Sequence, residues 1–164
     1  MPMSMAAIPV KIIPLLDQYK AAEQRIQALI APITHAFCHE CAGNCCREEI
    51  CRESMQSPFL NTLIQMQDLA YSDSRGWLAD SGCRLGYGRP QVCYAYFCNA
   101  VMEKEPALSQ EIDGVIKAFI ASGDRALGGT HLICIQTLDE LTRLNISKIN
   151  NKMDQVVRMI SEIS

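Results

Sequence analysis

The sequence predicts a mainly α protein, a small helical bundle with cysteine-rich metal-binding loops. Three observations carry that expectation. Apolar residues recur at three- and four-residue intervals near both ends, the spacing of one helix face. Alternating strand patterns are scarce. Five of the nine cysteines fall in residues 37–51, FCHECAGNCCREEIC. At 164 residues the chain suits a single domain, long enough to bury a core. The expected plan is a cysteine-cluster core at about residues 37–99 between flanking amphipathic helices at 10–35 and 106–164.

Along the chain, Ile12, Leu16, Tyr19, Ile26, Ile30 and Ile33 step 4-3-7-4-3 and predict one apolar stripe. Glu23 is the single break in a full heptad series. Residues 57–71, SPFLNTLIQMQDLAY, predict a second helix, with Ser57 as N-cap and Pro58 in the first helical position. A helix from Pro106 carries Leu108, Ile112, Ile116, Phe119 and Ile120 and ends at Gly123, with SGDRALGGT as the turn. Another runs through Leu132, Ile135, Leu138 and Leu141 to a break near Asn145. The last stripe, Ile146, Ile149, Met153, Val156, Ile160 and Ile163, steps 3-4-3-4-3 without a miss. Both terminal stripes are expected to pack against other helices of the same chain. A homodimer through these helices is the alternative, with about two and a half heptads to support a coiled-coil seam. No internal repeat or low-complexity segment stands out.

Charge and composition narrow the function classes. A formal net charge of -3 and a pI near 5.6 give no general attraction to nucleic acid or anionic lipid. Aromatics do not interleave with basic residues, as a single-strand binder requires. No run reaches the roughly 18 apolar residues of a membrane span. The apolar opening MPMSMAAIPVKIIPLL lacks a charged leader and an A-x-A-like cleavage site, and Pro9, Lys11 and Pro14 interrupt it. The expectation is a cytoplasmic chain without a signal peptide. In a reducing compartment clustered cysteines are more often metal ligands or redox groups than disulfides. No Ser–His–Asp set, HExxH or carboxylate pair with evident roles appears, so no catalytic residue is assigned.

The first cysteine group reads Cys38-x2-Cys41-x3-Cys45-Cys46-x4-Cys51, the second Cys83-x9-Cys93-x4-Cys98. A Cys-x2-Cys turn brings two thiolates to one metal, at about 2.3 Å each for zinc, and the other ligands come from elsewhere in the chain. A helix over residues 57–71 would lead away for about 22 Å, and YSDSRGWLADSG would return the chain to Cys83. The neighbours Cys45 and Cys46 tend to diverge, so two sites, or one site plus a separate thiol, suit them. Eight cysteines suffice for two four-thiolate zinc sites, or for one iron–sulfur cluster with four left over. Arg47, Arg52, Arg84 and Arg89 flank the groups. They either offset the roughly -2 charge of a four-thiolate centre or are ordinary solvated arginines. His35 and His39 read as surface or helix-capping residues, since sulfur is already abundant. Cys134 stands apart. In HLICIQTLDEL, with Leu138 and Leu141 at i+4 and i+7, it is expected to be a small buried hydrophobe.

The second group, GCRLGYGRPQVCYAYFC, carries C-x5-R-P-x2-C, then an aromatic and a closing cysteine. With the CxxC and vicinal CC upstream, it resembles the bacterial cysteine-cluster (CxxCxxCC-type) family described as a zinc- or iron-chelating domain. The resemblance covers about residues 37–99. Cys38 and Cys41 match the CxxC, and Cys45 with Cys46 match the CC. Cys83, Arg89, Pro90 and Cys93 match the C-x5-R-P-x2-C, and Cys98 the closing cysteine. There are two departures. Ala42, Gly43 and Asn44 precede the vicinal pair where the family pattern has two residues. Many members carry a further cysteine ahead of C-x5-R-P; none lies between Cys51 and Cys83, and Cys51 stands in its place as the weakest match. The resemblance implies a metal site with Arg89 beside the bound group, and no assigned reaction.

The combined reading is a cytoplasmic metal-binding protein that holds zinc or an iron–sulfur cluster. Its metal ligands are Cys38, Cys41, Cys45, Cys46, Cys51, Cys83, Cys93 and Cys98, and Arg89 is the cofactor-binding residue. It acts structurally or with a protein partner. The alternatives are an iron–sulfur electron carrier, an accessory to a protein-modifying (methylase-like) enzyme, and a disulfide-stapled domain. The methylase alternative comes from a related cluster in proteins similar to flagellin lysine methylases. The glycine-rich candidate here, SGDRALGGT, follows a helix and lacks G-x-G-x-x-G.

Overall fold

The computed structural model describes residues 7–38, 47–80, 82–95, 99–124 and 129–163, with side chains given outside 35–38 and 99–101. A 3-10 turn at Val10–Ile12 leads into α1, Ile13–Cys38. Then come α2, Glu48–Gln56, and α3, Pro58–Gln65. A hairpin of β1, Leu78–Ala79, and β2, Gly82–Cys83, follows, antiparallel with Leu78 opposite Cys83. The rest is helical: α4, Val92–Ala95; α5, Asn99–Lys104; α6, Pro106–Ser122; α7, Leu138–Leu141; and α8, Ile146–Glu162. The fold is mainly α, as the sequence predicts. Among the described residues no helix is long and apolar enough to cross a membrane.

The two terminal stripes face each other. Ile12, Leu15, Leu16, Tyr19, Ala22, Ile26 and Ile33 of the first are buried in one core with Ile149, Met153 and Val156 of α8. α6 packs against both helices and adds Ile112, Val115, Ile116 and Phe119. Helix faces with 3.6-residue periodicity gain most when each covers the other's apolar stripe, so the stripes find their partners within the chain. Tyr19 is the aromatic centre. Its ring lies 4.9 Å from Phe59 of α3, edge to face, and 4.9 Å from Phe119 of α6.

Several boundaries differ from the expected ones. Ser57 caps α3 as predicted, its Oγ accepting from Leu60 N at 3.3 Å and donating to Ile133 O at 2.7 Å. The helix stops at Gln65, however, not near residue 71. Eight residues give about 12 Å, half the expected length. Just beyond, Gln67 bonds to the returning chain: its Nε2 donates to Tyr87 O at 3.0 Å, and its Oε1 accepts from Gly86 N at 2.9 Å. The glycine- and serine-rich stretch after it is the hairpin, anchored by buried Trp77.

The helix expected through residues 132–141 is two short pieces. A 3-10 turn, Leu132–Cys134, is separated from α7 by Ile135 in extended backbone (φ -60°, ψ 150°). Glu140 then accepts from Thr137 N at 3.1 Å, starting α7 afresh. Asn145 caps α8 instead of merely breaking a helix, accepting from Lys148 N at 3.1 Å. Gly123 ends α6 as expected and has a steric reason to be glycine: a Cβ there would lie 2.9 Å from the His131 ring. His131 Nδ1 accepts from Ile133 N, so its Nε2 carries the proton and donates to Ile120 O at 2.8 Å.

A second, smaller cluster lies beside the main core. Cys51 of α2, Ile64, Trp77 and Leu85 form it, with Leu69, Tyr71, Leu78 and Cys83 packed against them. Trp77 Nε1 donates to Ser54 Oγ at 3.0 Å, and Ser54 Oγ donates to Cys51 O at 2.6 Å. The indole therefore ties the hairpin to α2.

Candidate functional site

Four of the sequence-predicted ligands lie on described elements. Cys38 is the last residue of α1, Cys51 is on α2, Cys83 closes β2 and Cys93 is on α4. The two outer members of the first group, Cys38 and Cys51, are thus helical and not in a loop. Cys41, Cys45, Cys46 and Cys98, with His39, lie outside the described residues, as do the side chains of Cys38 and His35.

The remaining thiols occupy contrasting surroundings. Cys51 is buried, its side chain against Gly76, where a Cβ would come within 2.7 Å of Cys51 Cβ and 3.0 Å of its Sγ. Cys83 is half-buried at the edge of the same cluster, and Cys93 is exposed. Among the described residues no three His, Cys, Asp or Glu side chains converge to hold a metal ion.

Cys134 departs from its expected burial: it is exposed, on the wall of a groove of about 450 Å³ that also touches Ser57, Pro90 and Ile133. The 3-10 turn explains this. With three residues per turn, Leu132 and Ile135 fall on one side, and both are buried, which turns Cys134 outward.

The arginines flanking the cysteines differ in use. Arg52 pairs with Glu48 one turn before it on α2, at 2.5 Å, and Arg84 donates to Ala70 O at 2.5 Å. Arg47 is exposed ahead of α2. Arg89, the expected cofactor-side residue, is half-buried, and its Nε donates to Leu85 O at 3.0 Å. Its guanidinium braces the turn that carries it.

That turn, between Cys83 and Cys93, is the most heavily bonded backbone near the sulfurs. Glu23, the lone polar break in the α1 stripe, is 0% exposed and receives it. Glu23 Oε2 accepts from Gly88 N at 2.7 Å, and Oε1 accepts from Arg89 N at 2.8 Å and from Tyr94 Oη at 2.5 Å. One turn along α1, Gln27 Nε2 donates to Gly86 O at 2.9 Å and to Tyr94 Oη at 2.8 Å. From the other side Gln67 holds Gly86 and Tyr87. Gly88 (φ +80°) is glycine for two reasons: its left-handed backbone, and a Cβ that would meet Ile64 Cγ1 at 2.9 Å and Leu60 O at 3.2 Å.

Burial pushes the Glu23 carboxyl up from 4.5 to about 7, although the bonds from Tyr94, Gly88 and Arg89 and the Arg89 charge pull it down. The same burial, with the Glu23 charge beside them, drives the Tyr19 and Tyr94 hydroxyls well above their ordinary range. In the sequence Glu23 is only an interruption of the stripe. Its partners Gly88, Arg89 and Tyr94 lie some 65 to 71 residues away and left no local sign.

The chain matches no family model, no curated protein and no solved structure.

Proposed function

We propose that this protein binds a metal, as zinc or an iron–sulfur cluster, through its clustered cysteines. The observation that carries the reading is the ordered set of thiols, CxxC and CC upstream and C-x5-R-P-x2-C with a closing cysteine downstream, which resembles the cysteine-cluster pattern. The ligands are Cys38, Cys41, Cys45, Cys46, Cys51, Cys83, Cys93 and Cys98, with Cys51 the weakest match to the pattern and buried on α2. Such thiols suit a reducing compartment such as the cytoplasm.

The test is elemental analysis and a visible spectrum on full-length protein purified without oxygen. Stoichiometric zinc in colourless protein, or iron with a brown colour that dithionite bleaches, supports the reading and separates its two forms. Cys41→Ser and Cys93→Ser should each lower metal content and stability, while Cys134→Ala leaves metal content unchanged. A metal-free, fully folded protein with every exposed thiol reactive would overturn the reading.

A further inference from the structure

We propose that the Gly88–Arg89 turn is a pH-sensitive latch: α1 holds it through the buried carboxyl of Glu23, and it opens as that carboxyl loses its proton. The inference does not depend on metal binding.

Hydrogen bonds make the latch. Glu23 is 0% exposed, and its two oxygens receive Gly88 N, Arg89 N and Tyr94 Oη. Two of these bonds hold the turn and the third holds α4, so one carboxyl ties both ends of residues 88–94 to α1. Tyr94 Oη serves the carboxyl in either state, donating to a carboxylate or accepting from an acid. Bonding partners are therefore available with and without the proton, and the difference between the two states is the charge.

That charge is poorly compensated. An ionised carboxylate at this depth has no water, and among the described residues no Lys or Arg forms an ion pair with it. Arg89 lends its charge from the turn, yet its Nε is bonded to Leu85 O. The titratable neighbours are Tyr19 of α1 and Tyr94 of α4, and both stay neutral. α3 and α6 place the rings of Phe59 and Phe119 against Tyr19, and α8 adds Ile149, Met153 and Val156 to the same core. Asp113 and Lys117 of α6 pair with each other, and Glu103 and Lys104 of α5 are exposed. Opening the turn gives the ionised carboxylate water, so ionisation favours the open turn. The carboxyl titrates at about 7 with the turn closed and near 4.5 in water. The latch is thus strongest below about pH 4.5 and weakens as pH rises to about 7.

Release acts on the groove. Pro90, Gln91 and Val92, between the anchored residues, line it together with Ser57 and Cys134, so its shape follows the latch. Gln27 and Gln67 hold Gly86 and Tyr87 in either state, which confines the opening to residues beyond 87.

Amide hydrogen exchange on full-length protein, resolved by NMR at about pH 5 and pH 8 and corrected for intrinsic exchange rates, tests this. The Gly88 and Arg89 amides should be less protected than that of Met153 in the core at both pH values. Their protection should fall by about 10- to 100-fold from the lower pH to the higher. Glu23→Gln, which cannot ionise, should abolish that fall. Turn amides as protected as Met153 would show that the turn opens only with the whole molecule, and overturn the latch. Protection independent of pH overturns it too, as does the same fall in Glu23→Gln. If Glu23→Gln does not fold, the carbon-13 signal of the Glu23 carboxyl in wild-type protein decides: titration near 7 supports the latch, and titration near 4.5 overturns it.

Discussion

Burying a carboxylate inside a stripe of Ile, Leu and Tyr is unfavourable unless donors replace water, and Glu23 has three of them. Its raised value has a consequence for pH. A carboxyl that titrates near 7 when folded and near 4.5 when unfolded keeps its proton in the native state where the unfolded chain has lost it. Its contribution to stability is complete below about pH 4.5 and is lost as pH rises to about 7. Tyr19 and Tyr94 are pushed upward and stay protonated throughout that window, so neither adds to the slope. For metal-free protein we expect the Glu23 contribution to fall by about 3 kcal/mol across the window. Urea unfolding at about pH 4.5, 6 and 7.5 measures this. Glu23→Gln should flatten the slope; an unaltered slope would show that another group carries it.

At the scale of elements, the segment leading into the hairpin packs closely against α2. Gly76 has φ +58°, and an added Cβ would run into the Cys51 side chain rather than a flexible tip. Gly76→Ala should therefore destabilise the protein by about 1–3 kcal/mol, lowering Tm by a few degrees. It should also make Cys51 react with a thiol reagent far faster than in wild type, where burial protects it. Unchanged Tm and Cys51 labelling in Gly76→Ala would mean the contact is relieved cheaply. Element starts were readable from sequence where local chemistry sets them: Ser57 before Pro58, Pro106, and the stripe from Ile146. Two features set from a distance were not. α3 ends early because Gln67 binds Gly86 and Tyr87 some twenty residues on, and Cys134 faces out because Leu132 and Ile135 take the core.

At the scale of the whole molecule, α1 and α8 join the two ends of the chain across one core. Met153 is fully buried at their contact. Met153→Ala should cost about 2–5 kcal/mol by leaving a cavity. Thermal unfolding should show a Tm drop of roughly 2–4 °C per kcal/mol, the same at high and low protein concentration. A wild-type Tm that climbs with concentration would instead put a second copy against these helices.

By itself the sequence determined the helical class, the two stripes, the cap at Ser57, the helix start at Pro106, and the order of the thiols. All are local: a period of 3.6, a capping side chain and a spacing are legible without knowing what lies opposite. Tertiary structure decided which stripe meets which, that Cys51 belongs to the interior, and that Glu23 is a junction instead of an interruption. A buried carboxylate gains its meaning from donors, and those of Glu23 arrive from a turn some 65 residues further along the chain.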